Sequence, residues 1–162
     1  FNGIAAAESV VNCIGISDGG VGISATTALN SHGKSRTADG LSTMIATGCV
    51  GESTEGTGLR ATNAQNCRGH SSSGIGLAAS ETADDCSGST NTGSYGLNAD
   101  MATNCTAYTS SGDIAMRVAG TANSCRGHNE KAGGTAIQAA IAIGCTSAGG
   151  TITAPQKFLG TP

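Results

Sequence analysis

Cysteine recurs along this chain at a nearly constant interval. Cys49, Cys67, Cys86, Cys105, Cys125 and Cys145 are separated by 18, 19, 19, 20 and 20 residues, and Cys13 lies 36 residues before Cys49, two steps of 18. Midway in that gap stands Ser31, in the segment Ala28-Leu29-Asn30-Ser31-His32-Gly33, which has the frame of Ala64-Gln65-Asn66-Cys67-Arg68-Gly69. Ser31 therefore occupies a cysteine slot, and the chain reads as eight units. Such a period marks a repeat architecture, in which no unit buries its own apolar face and neighbours must stack.

Other columns keep step with the slot. An aliphatic residue stands eight or nine places before it: Ile4, Ile23, Leu41, Leu59, Leu77, Leu97, Met116 and Ile137. Two places further comes a mostly alanine column (Ala61, Ala79, Ala99), and three places before the slot comes another (Ala64, Ala83, Ala102). Two places after the slot comes glycine in most units, as at Gly51, Gly69 and Gly88. Residues two apart share a strand face. The aliphatic and first alanine columns thus share one strand, and the cysteine and glycine columns another. The residue before each slot is Asn, Asp, Ser or Gly, types that accept left-handed or bent backbone, so it marks a corner. The Ser- and Gly-rich stretch after each slot is left for the remaining turns and a third short strand.

Composition agrees with a thin rod. Glycine makes up 26 of 162 residues, aromatics are 2%, charged residues are 12% and Trp is absent. A globular core draws its area from large side chains, and low charge argues against disorder. The core must be narrow and filled by small side chains. Helical solenoids need longer periods, and leucine-rich repeats need several Leu per unit. Coils of 18 to 20 residues, with rungs about 4.8 Å apart, fit a parallel β-helix. The expected fold is all-β: a single-stranded parallel β-helix (β-solenoid) of about eight coils over residues 1–150, with an inward cysteine ladder. Coil length drifts and inward positions do not recur every six residues, so a right-handed coil is expected. Residues 151–162 depart from the pattern and are expected to cap the solenoid or contact a neighbouring subunit.

The pattern G-[IL]-x-A-x-x-A-x-N-C-x-G-x-S resembles right-handed β-helix repeat proteins of the pectin-lyase-like superfamily, and especially repeat regions of large bacterial surface or secreted proteins. The resemblance covers residues 3–150. It implies a fold and no particular activity, because that superfamily holds lyases, hydrolases, phage tailspikes and inert stalks.

Stacked in register, neighbouring cysteines have parallel Cα–Cβ bonds and Cβ atoms about 4.8 Å apart, wider than a disulfide's usual range of roughly 3.5–4.5 Å. The count of seven is odd, and Cys13 faces Ser31. A straight ladder does not supply tetrahedral zinc geometry. Cys13, Ser31, Cys49, Cys67, Cys86, Cys105, Cys125 and Cys145 are therefore expected to form a structural stack of small buried side chains, with reduced thiols. A set of disulfides is the alternative.

The outward positions carry one basic theme. Cys67-Arg68-Gly69-His70 returns as Cys125-Arg126-Gly127-His128, with a weaker echo in Ser31-His32-Gly33-Lys34. Arg68, His70, Arg126 and His128 point outward, the two arginines three coils or roughly 14 Å apart, and are the candidate contacts for an anionic polysaccharide. The plainer reading is a solvated face that keeps the rod soluble. Asp84-Asp85, with Asp100 as a neighbour in the next coil, suits a hard cation, although turn aspartates are commonplace. The Gly-His dipeptides belong to the repeat and lack the aspartate pair of a polygalacturonase-like site. Threonines of the kind an ice-binding face needs are confined to Thr90, Thr92, Thr106 and Thr109. No catalytic residue, cofactor or metal is expected. A net charge of −3 without a basic run argues against nucleic acid or an anionic membrane as partner, and no apolar run reaches membrane-spanning length.

Solenoids usually carry atypical end repeats, whereas Phe1-Asn2-Gly3-Ile4 enters the pattern at once. Phe1, Phe158 and Leu159 are candidate assembly ends. A chain beginning at Phe1 is expected to be a processed product or a piece of a longer one. The expected function is that of a non-enzymatic structural protein, an extracellular or cell-surface fibre or stalk. Its expected partner is itself, head to tail, or the rest of a longer fibrous chain. The alternative is a carbohydrate-binding or polysaccharide-degrading β-helix module of pectate-lyase or tailspike kind.

Overall fold

Each coil is built from three short parallel strands. In the third coil these are Leu41–Ser42, Ile45–Thr47 and Val50–Ser53. Elsewhere the first two merge, as in Leu59–Gln65 and Leu77–Asp84. The computed structural model describes residues 1–158. Among them there is no helix, hence none long and apolar enough to cross a membrane. The strands stack into a 16-stranded sheet carrying the first and second faces and an 8-stranded sheet forming the third. The result is an all-β parallel solenoid of about eight turns, as the period required.

The register follows the columns. Ile23, Leu41, Leu59, Leu77, Leu97, Met116 and Ile137 sit one above the next, each fully buried. Burying such a side chain is worth about 1.5–3 kcal/mol, so this residue is the largest single apolar contribution of its coil. The facing column, Ala28, Ala46, Ala64, Ala83, Ala102, Ala122 and Ala142, is buried too and leaves room for little else. Corners are equally regular. The eight residues preceding the slots, Asn12, Asn30, Gly48, Asn66, Asp85, Asn104, Ser124 and Gly144, all have φ between 45° and 63°. Glycine enters this region freely and Asn or Asp at modest cost. Ser124 is the costlier exception.

One strand lies elsewhere than alternation suggested. The additional short strand of each coil precedes the cysteine slot instead of lying in the Ser- and Gly-rich stretch after it. The chain bends between the aliphatic and second alanine columns, so the latter has a strand of its own, such as Thr27–Leu29 or Ile45–Thr47. Even in the merged strand Leu59–Gln65 the bend survives as a register irregularity between Ala61 and Asn63. Beyond the third-face strand, which holds the glycine column, the chain forms only a turn.

That turn is closed by a further inward column, four residues after the slot. Ser71 Oγ donates to the Gly56 carbonyl at 2.7 Å and accepts the Gly74 N–H at 2.8 Å. Ser35, Ser53 and Thr90 repeat both bonds. Asn129 does the same work with its amide. Thr90 and Thr109 belong to this column and are fully buried, so they are not part of an outward threonine array. The turn also absorbs most of the drift in coil length, the bend after the first face taking a single further residue in some coils, as between Leu77 and Cys86. From the slot to the next aliphatic residue is 10 residues at Cys67, 11 at Cys86 and 12 at Cys125.

Residues 151–158 remain on the rod: Thr151–Thr153 and Gln156–Phe158 pair with Thr135–Gln138 and Ile141–Ile143, extending the first and second faces. Leu159 lies outside the described residues.

Leu77→Ala is expected to cost about 2–5 kcal/mol through the cavity it opens. Ser71→Ala, which strands a buried carbonyl and N–H, is expected to cost about 1–3 kcal/mol. Urea unfolding followed by circular dichroism measures both.

Candidate functional site

The four outward candidates lie on the third face. Arg68–Ser71 and Arg126–Asn129 are third-face strands, with Ser87–Thr90 and Thr106–Thr109 between them. Glycine in the middle of each Arg-Gly-His keeps the inward side flat: a Cβ on Gly69 would collide with the Gly76 carbonyl of the adjacent coil. Arg and His on either side are thereby turned outward. Strand register stacks Arg68, Ser87, Thr106 and Arg126 in one row, and His70, Ser89, Tyr108 and His128 in the other. The candidates thus form two pairs three rungs apart, roughly 14 Å, and do not converge on one pocket. Arg68 lines an open depression with Val50, Asp85 and Ser87. Arg126 and His128 line another with Thr106 and Tyr108.

Contacts within the rows cross between coils. His70 Nδ1 lies 2.9 Å from Ser89 Oγ. Tyr108 meets His128 edge-on, ring centroids 5.4 Å apart, and its hydroxyl lies 3.0 Å from Ser110 Oγ. Glu52 sits beside Lys34 at 3.5 Å and His32 at 3.6 Å. Among the described residues Arg68 and Arg126 form no ion pair. Ser89 and Tyr108 do not stand out in the sequence, although each occupies the position after its cysteine that His70 occupies after Cys67. The Ser89–His70 contact joins a nucleophile type to a base type. The backbone N–H groups around it are engaged in the parallel ladder, so no paired donors stand ready for an oxyanion. What the rows offer is hydrogen-bond donors and positive charge facing solvent.

The acidic candidate comes apart. Asp84 is stacked on Thr103, not on Asp100. Asp100 lies at the bend between the first and second faces, lining a depression with Glu81 and Met101. Among the described residues, no three His, Cys, Asp or Glu side chains are placed to hold a metal ion.

The inward slot forms a ladder of free thiols. Cys49, Cys67, Cys86, Cys105, Cys125 and Cys145 are between 0% and 4% exposed, while Cys13 is only half-buried. Each thiol donates to the carbonyl two residues earlier, as Cys67 does to Gln65 at 3.1 Å and Cys86 to Asp84 at 3.1 Å. Ser31 makes the same bond to Leu29 at 2.8 Å. It also accepts the Cys13 N–H at 3.2 Å, as Cys67 Sγ accepts that of Cys49 at 3.4 Å. The slot therefore selects a small side chain that bridges a left-handed corner, which explains why serine replaces cysteine there. The neighbouring Cys67 thiol and burial push the Cys49 thiol well above its usual range. Cys125 and burial do the same to Cys145.

No protein-family model, curated protein or solved structure matches the chain. Its function has to be read from its own geometry.

A thiol reagent applied to the native chain is expected to modify Cys13 and to spare the six buried cysteines until denaturant is added. Mass spectrometry of the labelled protein tests this; rapid labelling of Cys86 or Cys105 in the native state would contradict the sealed ladder.

Proposed function

We propose that the chain is a non-enzymatic structural rod, a segment of an extracellular or cell-surface fibre or stalk. We place it with the right-handed β-helix repeats of bacterial surface proteins that its pattern resembles. The observation that supports this reading is where regularity lies. Inward columns and corner torsions repeat in every coil. The outward row, by contrast, runs Ile14, His32, Val50, Arg68, Ser87, Thr106, Arg126, Thr146. The sequence specifies the rod coil by coil and no single patch of its surface. A solenoid lengthens wherever another rung meets a strand edge, whether from further coils of the same chain or from a second copy head to tail. Phe1 and Phe158 are exposed at opposite ends, where such stacking would cover them.

Electron microscopy and sedimentation of the purified chain test the reading. Rods at least roughly 40 Å long, from about eight rungs, with longer multiples as concentration rises, are expected. Single rods at every concentration would remove self-stacking, and cleavage of a polysaccharide by the purified chain would overturn the non-enzymatic reading.

One observation favours a second reading, a carbohydrate-binding module: Arg68 and Arg126 share a row and have no carboxylate partner among the described residues. On that reading a glycan array shows retention of acidic glycans, weakened by about tenfold in the Arg68→Ala/Arg126→Ala variant.

A further inference from the structure

Charge is unevenly shared among the three faces. All three histidines of the chain, His32, His70 and His128, stand on third-face strands. Lys34, Arg68 and Arg126 stand there with them, and Glu52 is the one carboxylate on those strands. The chain as a whole carries −3, so a cationic face is set on an acidic rod. The charged and titratable neighbours are few. His70 is stacked between Glu52 and Ser89, with Arg68 on its own strand. His128 is stacked on Tyr108, with Arg126 on its own strand. His32 faces Glu52, whose other partner is Lys34. Asp85 borders the depression beside Arg68, and in the turns that follow come Glu55, Glu130, Arg36 paired with Asp18, and Lys131 paired with Asp113.

We propose that this face is an acid-strengthened binding surface for a sulfated polysaccharide lying along the rod, an inference that rests on the carbohydrate-binding reading above. Histidine is the side chain whose ordinary pKa falls between pH 5 and 8. Acidification therefore adds imidazolium charge on this face and on no other. Affinity for a polyanion rises as pH falls, provided the partner keeps its own charge. A sulfate ester keeps its full charge throughout, and a carboxylate keeps most of its own down to about pH 5, so a sulfated polymer is the partner whose charge stays constant as the face gains its own. The arginines offer paired N–H donors to each oxyanion. Their spacing of roughly 14 Å along a straight row suits an extended polymer rather than a compact ligand. With no basic run in the sequence, two arginines do not make the continuous basic footprint that a nucleic acid requires.

Affinity electrophoresis in gels containing dextran sulfate, neutral dextran or duplex DNA, at about pH 8 and about pH 5.5 and constant ionic strength, tests the proposal. Retention by dextran sulfate about tenfold stronger at the lower pH is expected. A His70→Gln/His128→Gln variant keeps the weak binding of the higher pH and loses most of the gain. Arg68→Ala/Arg126→Ala weakens binding at both. Equal retention of the unmodified chain at both pH values overturns the acid dependence while leaving the carbohydrate reading in place. No retention by dextran sulfate at either pH overturns the proposal, and if the glycan array retains no acidic glycan either, the carbohydrate reading falls with it. Retention by duplex DNA as strong as by dextran sulfate overturns the choice of partner.

Discussion

A parallel ladder with rungs near 4.8 Å makes each residue the neighbour of its own counterparts in the coils on either side. That constraint governs the interior. A side chain larger than its column strains two rungs, and a smaller one leaves a gap in both. Hence an aliphatic ladder, an alanine column facing it, and a corner whose torsion is the same in Asn66, Asp85 and Ser124. Each coil touches only its neighbours, so stability is close to a sum over coils and junctions.

The interior is less oily than its burial suggests. Ser31 and the cysteines bridge the corner before the third face, and Ser35, Ser53, Ser71 and Thr90 close the turn after it. A net hydrogen bond is worth about 0.5–1.5 kcal/mol, against about 1.5–3 kcal/mol for each buried aliphatic side chain. With two bonds at most turn hydroxyls, the polar columns rival the apolar ladder. They also fix shape, because each hydroxyl bonds a carbonyl some fifteen residues earlier and so ties one turn to the turn of the preceding coil.

Much of this rod was legible in one sequence because its constraints recur. The corner could be read from the residue types that tolerate positive φ, and the ladders from their spacing. What escaped depends on relations between coils. The inward positions run Leu41, Thr43 and Ala46, so alternation breaks after Thr43, but a step of three does not by itself say that Ile45–Thr47 is a strand on a face of its own. Register sets Asp84 on Thr103, nineteen residues on, whereas Asp100 is sixteen on and belongs to the bend beside Met101; a carboxylate close in count is not a neighbour until the register of its strand is known. The Ser89–His70 and Tyr108–His128 contacts become visible only once register is fixed. Thr90 and Thr109 looked like surface threonines, yet they fill the slot of Ser53 and Ser71. Of the candidate site, the outward direction and spacing of Arg68 and Arg126 could be read. Their lack of a carboxylate partner among the described residues could not, because it depends on where each carboxylate comes to rest.

The bends differ in freedom. The corner before the slot has a fixed length, while the turn after the third face grows from 10 to 12 residues between slot and aliphatic column. The strands it joins keep their pairing, as Ile114 with Thr135 and Arg126 with Thr146 show. Closing a longer loop costs little more than closing a short one. One edge of the rod is therefore an outlet along which unrelated segments can be hung, each at its own height, with the shaft beneath unchanged. A solenoid of this kind has the geometry of a comb whose teeth vary independently.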